Sequence, residues 1–363
     1  MKNQKTTTPP QKHRVLGQMS GTSFDGQDMV LGVFWEFDQH WEYQILAAET
    51  FSYPSAFVQK LAHAHSFTLP EIEELNQTYG HITQKHLQKF LNANPSSHPD
   101  LLCFHGHTIK HKPERGITLQ LGTWQAWADA FHIPLVGDFR SPDVDLQGQG
   151  APLVPGGDIH LFQEFDYTLN LGGFANVTDM TTIAPKAYDI CAVNTVLNRL
   201  IAPFGMLYDD RGKRAAQGKI IPRLLDQLNS IPFYRQQPPK SLGQEWVSEN
   251  LIPILDGFQH GALADLLHTY VVHIAQQMGQ QFRSNKKILV TGGGAYHTFL
   301  IDQIQKNTDA KLILGTPQLI EYKEALIFGF LGLLRQQSKI NCWASVTGAS
   351  KNHSTGRLFF PKQ

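Results

Sequence analysis

Gly17-Gln-Met-Ser-Gly-Thr-Ser-Phe-Asp-Gly-Gln-Asp28 is the stretch whose reading decides the fold. Two apolar runs flank it, Val15–Met19 before and Met29–Phe34 after, and both read as strands. The unit is therefore strand, turn, strand. Gly21 and Gly26 allow backbone angles closed to other residues and let a ligand approach the main chain. Successive N–H groups and the hydroxyls of Ser20, Thr22 and Ser23 make an anion nest at such a bend. Asp25 adds a carboxylate beside that nest, a combination suited to a Mg²⁺-bound polyphosphate. A plain hairpin turn accounts for the glycines but not for the carboxylate and hydroxyls packed between them. No Gly-Lys-Ser/Thr follows and the next element is a strand, so this is not a Walker loop.

Working outward, the 363 residues leave room for two domains of ordinary size. Lys+Arg and Asp+Glu both number 31, and this balance argues against a nucleic-acid or anionic-membrane partner. Cys103, Cys191 and Cys342 stand far apart with no Cys-x-x-Cys pair. That spacing argues for a reducing compartment and against a zinc knuckle or disulfide framework. Met1 to Arg14 is polar, without the apolar core of a signal peptide, and no run of apolar residues is long enough to span a bilayer. The expectation is a soluble cytoplasmic protein with a short disordered leader.

Further along, Trp41–Thr50 continues the strand pattern, and Ser55–His65 and Pro70–Ala93 read as helices. Leu101–His105 reads as a buried strand ending at Gly106-His107-Thr108, and Ile117–Leu121 as another strand. A Gly/Pro/Asp-rich segment, Ser141 to Asp158, is the candidate domain junction, ordered rather than a bare linker because it keeps Leu146, Leu153 and Val154. The second half opens on Tyr167-Thr-Leu-Asn-Leu-Gly-Gly-Phe-Ala-Asn-Val-Thr178, again strand, glycine turn, strand. Ala262–Phe282 is a long amphipathic helix whose apolar stripe is read as core. Lys287–Val290 leads into Thr291-Gly292-Gly293-Gly294-Ala295 and a helix, and Glu321–Gln337 is the last long helix. Two halves with the same opening predict a duplicated α/β domain with phosphate hairpins facing across an interdomain cleft. The Gly292–Gly294 turn offers a third nucleotide contact at a helix start, although the dinucleotide fingerprint is absent.

These motifs together resemble the anhydro-N-acetylmuramic acid kinase family of the sugar kinase/Hsp70/actin ATPase superfamily. The likeness runs over nearly the whole chain: GQMSGTSFDGQD (17–28), FHGHT (104–108), DFRSPD (138–143), GQGAPLVP (148–155), NLGGFANVT (170–178), PPKSLGQE (238–245), TGGGAYHTFL (291–300), KEALIFGFL (323–331) and VTGA (346–349). The resemblance implies duplicated RNase H-like, actin/hexokinase-type ATPase domains. The division expected is residues 1–140 with 342–363 in one domain and 141–341 in the other.

The resemblance also implies roles. ATP phosphates meet Gly21, Thr22, Ser23, Asp25 and Gly26 in the first hairpin and Gly172 and Gly173 in the second, with Gly292, Gly293 and Gly294 on the nucleoside side. Asp25 holds Mg²⁺ through water. Asp189, in Tyr188-Asp-Ile-Cys-Ala-Val-Asn194, takes the place of the general base, and Thr108, Arg140, Asn194 and Glu324 are the sugar-side residues. The implied partner is a small anhydro sugar, and a homodimer is an assembly left open. Read without the resemblance, Asp189 is a cap for the helix that follows, and Arg140 is as well read as a structural ion pair.

Two departures stand out. Cys191-Ala192-Val193 replaces the family's Gly-Pro-Gly, and Ser141-Pro142 stands where members carry further arginines. A side-chain carboxylate on the sugar would pair with such arginines, so looser selection for the lactyl acid is expected. Two rival readings remain. His105-x-His107 with His111 has metal-ligand spacing and suggests a metal hydrolase. An Hsp70- or actin-like ATPase without sugar chemistry would share the fold.

Overall fold

The computed structural model describes residues 10–21, 24, 26–38 and 40–362. It divides into two compact units: the chain up to Leu161 with Glu324 onward, and Phe162–Lys323. The sequence-based boundaries differ. Residues 141–161 and 324–341, expected in the second domain, belong to the first unit.

In the first unit, strands β1 (Lys12–Ser20), β2 (Gly26–Phe37), β3 (His40–Ser52), β4 (Leu101–Lys112), β5 (Ile117–Leu121), β6 (Leu135–Gly137) and β12 (Arg357–Phe359) form one sheet. Its order is β12-β6-β4-β1-β2-β3, with β5 paired to β4. β1, β2 and β3 pair antiparallel, whereas β4 joins β1 and β6 joins β4 in parallel. In the second unit, β7 (Tyr167–Leu171), β8 (Phe174–Asp179), β9 (Lys186–Ala192), β10 (Lys287–Thr291) and β11 (Lys311–Leu314) run in the order β11-β10-β7-β8-β9. Here too the first three strands pair antiparallel and the last two join in parallel. Both units thus carry a 3-2-1-4-5 sheet of the same polarity, the RNase H-like arrangement, and the duplication expected from the two glycine hairpins is real.

The helices are α1 (Ser55–His63), α2 (Leu69–Ala93), α3 (Trp124–Phe131), α4 (Ser141–Asp145), α5 (Pro155–Leu161), α6 (Asn194–Ile201), α7 (Pro222–Asn229), α8 (Gln244–Trp246), α9 (Ile252–Asp256), α10 (Leu263–Gly279), α11 (Thr298–Lys306), α12 (Pro317–Gln336) and α13 (Ala344–Thr347). α12 begins earlier than the apolar pattern predicts. Thr316 caps it, accepting from Leu319 N–H at 3.2 Å, and Pro317 stands in its first turn. β4 runs on past Gly106, where a turn was expected. The α10 stripe is core as read: Leu266, Leu267, Tyr270, Val271, Ile274 and Met278 are buried against the second sheet.

β1 is covered on both faces because successive strand residues point to opposite sides. Leu16 packs with Tyr79, Phe104 and Trp127 on one side. Gly17 meets α12 on the other. A Cβ at Gly17 would collide with the Ala325 carbonyl oxygen and come within 2.7 Å of Gly329 N, and one at Gly332 would collide with Cys103 Sγ. Glycine here sets the distance between helix and sheet.

Gly17→Ala therefore overpacks a backbone contact that no rotamer change relieves, and should cost about 3 kcal/mol. Gly293→Ala, where an added Cβ meets nothing within 4 Å, should stay within about 0.5 kcal/mol of the parent. Urea unfolding of both variants checks this; equal midpoints would refute the close approach.

Candidate functional site

In the first unit, the β1–β2 turn is bounded by Gly21 and Gly26, while Thr22, Ser23 and Asp25 lie outside the described residues. Gly26 has a packing reason to be glycine. It pairs with Ser52, and a Cβ there would collide with the Phe51 carbonyl. Ser20, at the end of β1, is buried, with its Oγ 2.6 Å from Tyr53 Oη and 2.9 Å from His107 Nδ1. Gln18, two residues earlier on the same face, donates to Tyr79 Oη at 3.1 Å and accepts from Gly106 N–H at 3.3 Å. A polar layer thus lies beneath the turn.

β4 places His105, Gly106, His107 and Thr108 in succession. In a regular strand, residues two apart share a face. Gly106 has φ +77°, and the β1–β4 register shifts beside it, so this alternation breaks. His107 joins Ser20 and stacks obliquely near Phe24. His105 joins Arg140, which donates Nε–H to His105 Nε2 at 3.0 Å. Since guanidinium only donates and a carbonyl only accepts, His105 must carry its proton on Nδ1, where it donates to Gly106 O at 3.0 Å. Burial, helped by Arg140, holds His105 well below its usual pKa and keeps it neutral.

Arg140 also donates Nη1–H to Gly150 O at 2.7 Å. Burial pushes its pKa down to about 10, with the Glu324 carboxylate opposing that shift, so it stays a cation at neutral pH. The structure thus brings Arg140 and Glu324 into one electrostatic environment with His105. Thr108 lies further along β4, opposite Gln120. Its Oγ1 is buried and has no hydrogen-bond partner, a hydrogen-bonding capacity left unused within the fold.

The metal-hydrolase reading fails on this geometry. His105 and His107 serve different partners, and among the described residues neither belongs to a group with metal-ligand spacing.

In the second unit, three segments converge. The β7–β8 turn holds Gly172 and Gly173. Val193 and Thr195 donate their N–H groups to Gly173 O at 2.8 and 3.2 Å, and Asn194 donates Nδ2–H to Leu171 O at 3.2 Å. The β10 end closes on the same place. Gly292 has φ +79°, and a Cβ on it would come within 2.6 Å of Asn170 Oδ1; one on Gly294 would come within 2.8 Å of Leu171 Cβ. Gly293 is open, and Thr291 Oγ1 is buried without a partner. Four predicted glycines and Asn194 therefore meet at one turn, with unsatisfied polar capacity beside it.

Asp189 lies on β9, opposite Asn176. It does not cap α6, whose N-cap is Val193 and has no side-chain cap. Its Oδ2 accepts Leu242 N–H at 2.8 Å, and its own N–H donates to Lys240 O at 3.0 Å. Burial raises its pKa above the usual carboxylate value, and the Leu242 bond partly offsets this. Lys240 sits over the Phe233 ring at 4.8 Å, its pKa lowered by burial. A half-buried carboxylate with raised pKa, anchored by one oxygen, is equipped to accept a proton. Sequence reasoning missed the Ser20–Tyr53–His107 and Arg140–His105 contacts, whose partners are dozens of residues apart.

A family model described as anhydro-N-acetylmuramic acid kinase matches residues 13–361. A protein of that name from Francisella tularensis subsp. novicida is 30% identical over 377 residues, covering 95% of this chain and 98% of its own length. One from Haemophilus influenzae is 31% identical over 378 residues, covering 95% and 97%. One from Neisseria meningitidis serogroup C is 31% identical over 369 residues, covering 94% and 95%.

The buried histidines make the first unit acid-sensitive. Burial lowers His107 to about 4, whereas in the unfolded chain it titrates near 6.5. Between those values the unfolded state binds the extra proton, so stability falls as pH drops from about 6.5 toward 4. His107→Gln should shrink the stability difference between pH 7 and pH 5 by about 1–2 kcal/mol, read from urea midpoints. An undiminished difference would mean that His107 is protonated in the folded protein.

Proposed function

Because the chain belongs to the anhydro-N-acetylmuramic acid kinase family, we propose that it opens a 1,6-anhydro sugar with water and phosphorylates the released O6. The substrate is 1,6-anhydro-N-acetylmuramic acid, and the products are N-acetylmuramate 6-phosphate and ADP. The observation that carries the mechanism is Asp189: a half-buried carboxylate, raised in pKa, with Oδ2 held by Leu242 N–H. Asp189 takes a proton from the water that attacks the anomeric carbon. The C1–O6 bond breaks, and O6 accepts the γ-phosphoryl group of ATP.

We assign the ATP phosphates to the turns at Gly21–Gly26 and Gly172–Gly173 and the nucleoside side to Gly292–Gly294. The unpartnered Thr291 hydroxyl and the open space over Gly293 support this placement. Asn194 holds the Leu171 carbonyl and so fixes the second turn. The oxygen donors of Thr22, Ser23 and Asp25 suit a hard cation, and we assign Mg²⁺ to Asp25 through water. When bound, Mg²⁺ neutralises charge on the transferring phosphoryl group. Thr108 Oγ1, Arg140 and Glu324 are assigned to the sugar. No helix among the described residues is long and apolar enough to cross a membrane. We place the reaction in cytoplasmic recycling of cell-wall sugars.

Asp189→Asn should leave the fold and ATP affinity nearly intact while lowering turnover about 10²–10⁴-fold. Turnover in heavy-oxygen water should put label on the anomeric carbon and none in the transferred phosphoryl group. Label in the phosphate would mean plain ATP hydrolysis, and a fully active Asn variant would remove Asp189 from the chemistry.

Selectivity gives a second check. With Ser141-Pro142 in place of further arginines, a single guanidinium, that of Arg140, remains in this motif for a carboxylate. Anhydro sugars with and without the lactyl acid should differ in kcat/KM by no more than about tenfold, under 1.4 kcal/mol. A much larger preference for the acid would point to another cationic contact.

A further inference from the structure

Among the described residues, the one group with the spacing of a metal site lies in the first unit and contains none of the residues assigned above. It is Asp143, Cys342 and His353, with ligand atoms all within 4.8 Å of one another. The fold builds it from two segments far apart in sequence. Asp143 stands in α4. Cys342 and His353 face each other across an isolated antiparallel bridge, exchanging backbone N–H···O bonds of 3.1 and 3.0 Å. Asp143 is fully buried, Cys342 is buried, and the His353 side chain is 8% exposed.

The histidine shows that something is wanted there. Its Nδ1 is 3.2 Å from Lys351 O, a carbonyl that can only accept, so the proton sits on Nδ1. Nε2 is buried, has no hydrogen-bond partner, and lies 3.4 Å from Asp143 Oδ1. That approach is favourable only with a proton or a metal ion between the two atoms. Cys342 Sγ lies 3.2 Å from the same Oδ1.

The N–O and S–O separations are close to those of ligands around one ion. With bonds of about 2.0–2.1 Å to nitrogen and oxygen and about 2.3 Å to sulfur, tetrahedral angles put N and O roughly 3.3 Å apart and S and O roughly 3.5 Å apart. The imidazole is already held by an outer carbonyl, the arrangement that orients metal-bound histidines. The carboxylate is held too, with Gly150 N–H donating to Oδ2 at 2.6 Å and Thr347 Oγ1 donating to Oδ1 at 2.7 Å. Thiolate and imidazole donors select a borderline-soft divalent ion rather than Mg²⁺.

We propose that Asp143, Cys342 and His353 bind one Zn²⁺ ion as a structural site joining α4 to the C-terminal segment. Binding releases the Cys342 thiol proton, and sulfur then bonds the metal instead of donating to Asp143. A water, or Thr347 Oγ1 after rotation, completes four-coordination. The site also reaches Arg140, because Gly150 donates its N–H to Asp143 and offers its carbonyl to Arg140.

Titration of the full chain with Co²⁺, a spectroscopic stand-in for Zn²⁺, tests this. Wild type should develop thiolate-to-cobalt absorption that saturates at one equivalent and is displaced by Zn²⁺. Zn²⁺ should also raise the thermal midpoint. Cys342→Ser should abolish the absorption, and His353→Ala should weaken Zn²⁺ binding about 100-fold or more, given that outer-shell changes alone cost 10–100-fold. Absence of the cobalt band in wild type overturns the proposal without reference to any variant. So does a band that survives in Cys342→Ser, since it would then come from Cys103 or Cys191. If Zn²⁺ binds equally well to His353→Ala, the imidazole is not a ligand and the proposal fails.

Discussion

In the first unit β1 and α12 approach closely at Gly17, Ala325 and Gly329. Much of the unit depends on this contact. The helix can lie directly on the strand backbone because neither side interposes a side chain, and Gly332 repeats the device over Cys103. Dispersion between backbones at this distance is gained only if the glycines are kept. The same contact fixes the rotation of α12 about its axis. Ala325 faces the sheet, and its neighbour Glu324 is thereby set in the electrostatic environment of Arg140. The electrostatics around Arg140 and the packing of the core are in this way two readings of one helix.

Arg140 shows how a charge is kept in such a place. The residue is half-buried, and its guanidinium donates to a neutral imidazole and a carbonyl. Both accept hydrogen bonds without cancelling the charge, and the Glu324 carboxylate favours the charged form. Holding His105 neutral is part of the same arrangement, since a proton on Nε2 would abolish the acceptor.

The architecture was largely legible because it is written locally. Hairpins announce themselves through glycines flanked by apolar runs, and the duplicated hairpin at Leu171–Phe174 made the repeat visible. Asp189 was singled out through its motif, but its bond to Leu242 was not legible, since Leu242 lies 53 residues further along the chain, beyond α6 and α7. Reading β4 as ending at Gly106 was wrong for a definite reason: glycine at positive φ bends a strand without ending it. The Asp143–Cys342–His353 group was invisible. Metal-ligand patterns are read from short spacings, and these three residues meet only because the C-terminal segment folds back on α4.

Gly106 has an effect on how this protein can vary. By breaking the alternation of β4, it gives two near neighbours, His105 and His107, unrelated environments. A substitution at His105 is answerable to Arg140 and the loop that carries Gly150. A substitution at His107 is answerable to Ser20 and Tyr53. Residues that would share one fate in a flat strand are thus uncoupled. The Arg140 side and the Ser20 side can drift separately in sequence, each compensated by positions far along the chain, while the single glycine that separates them stays the same.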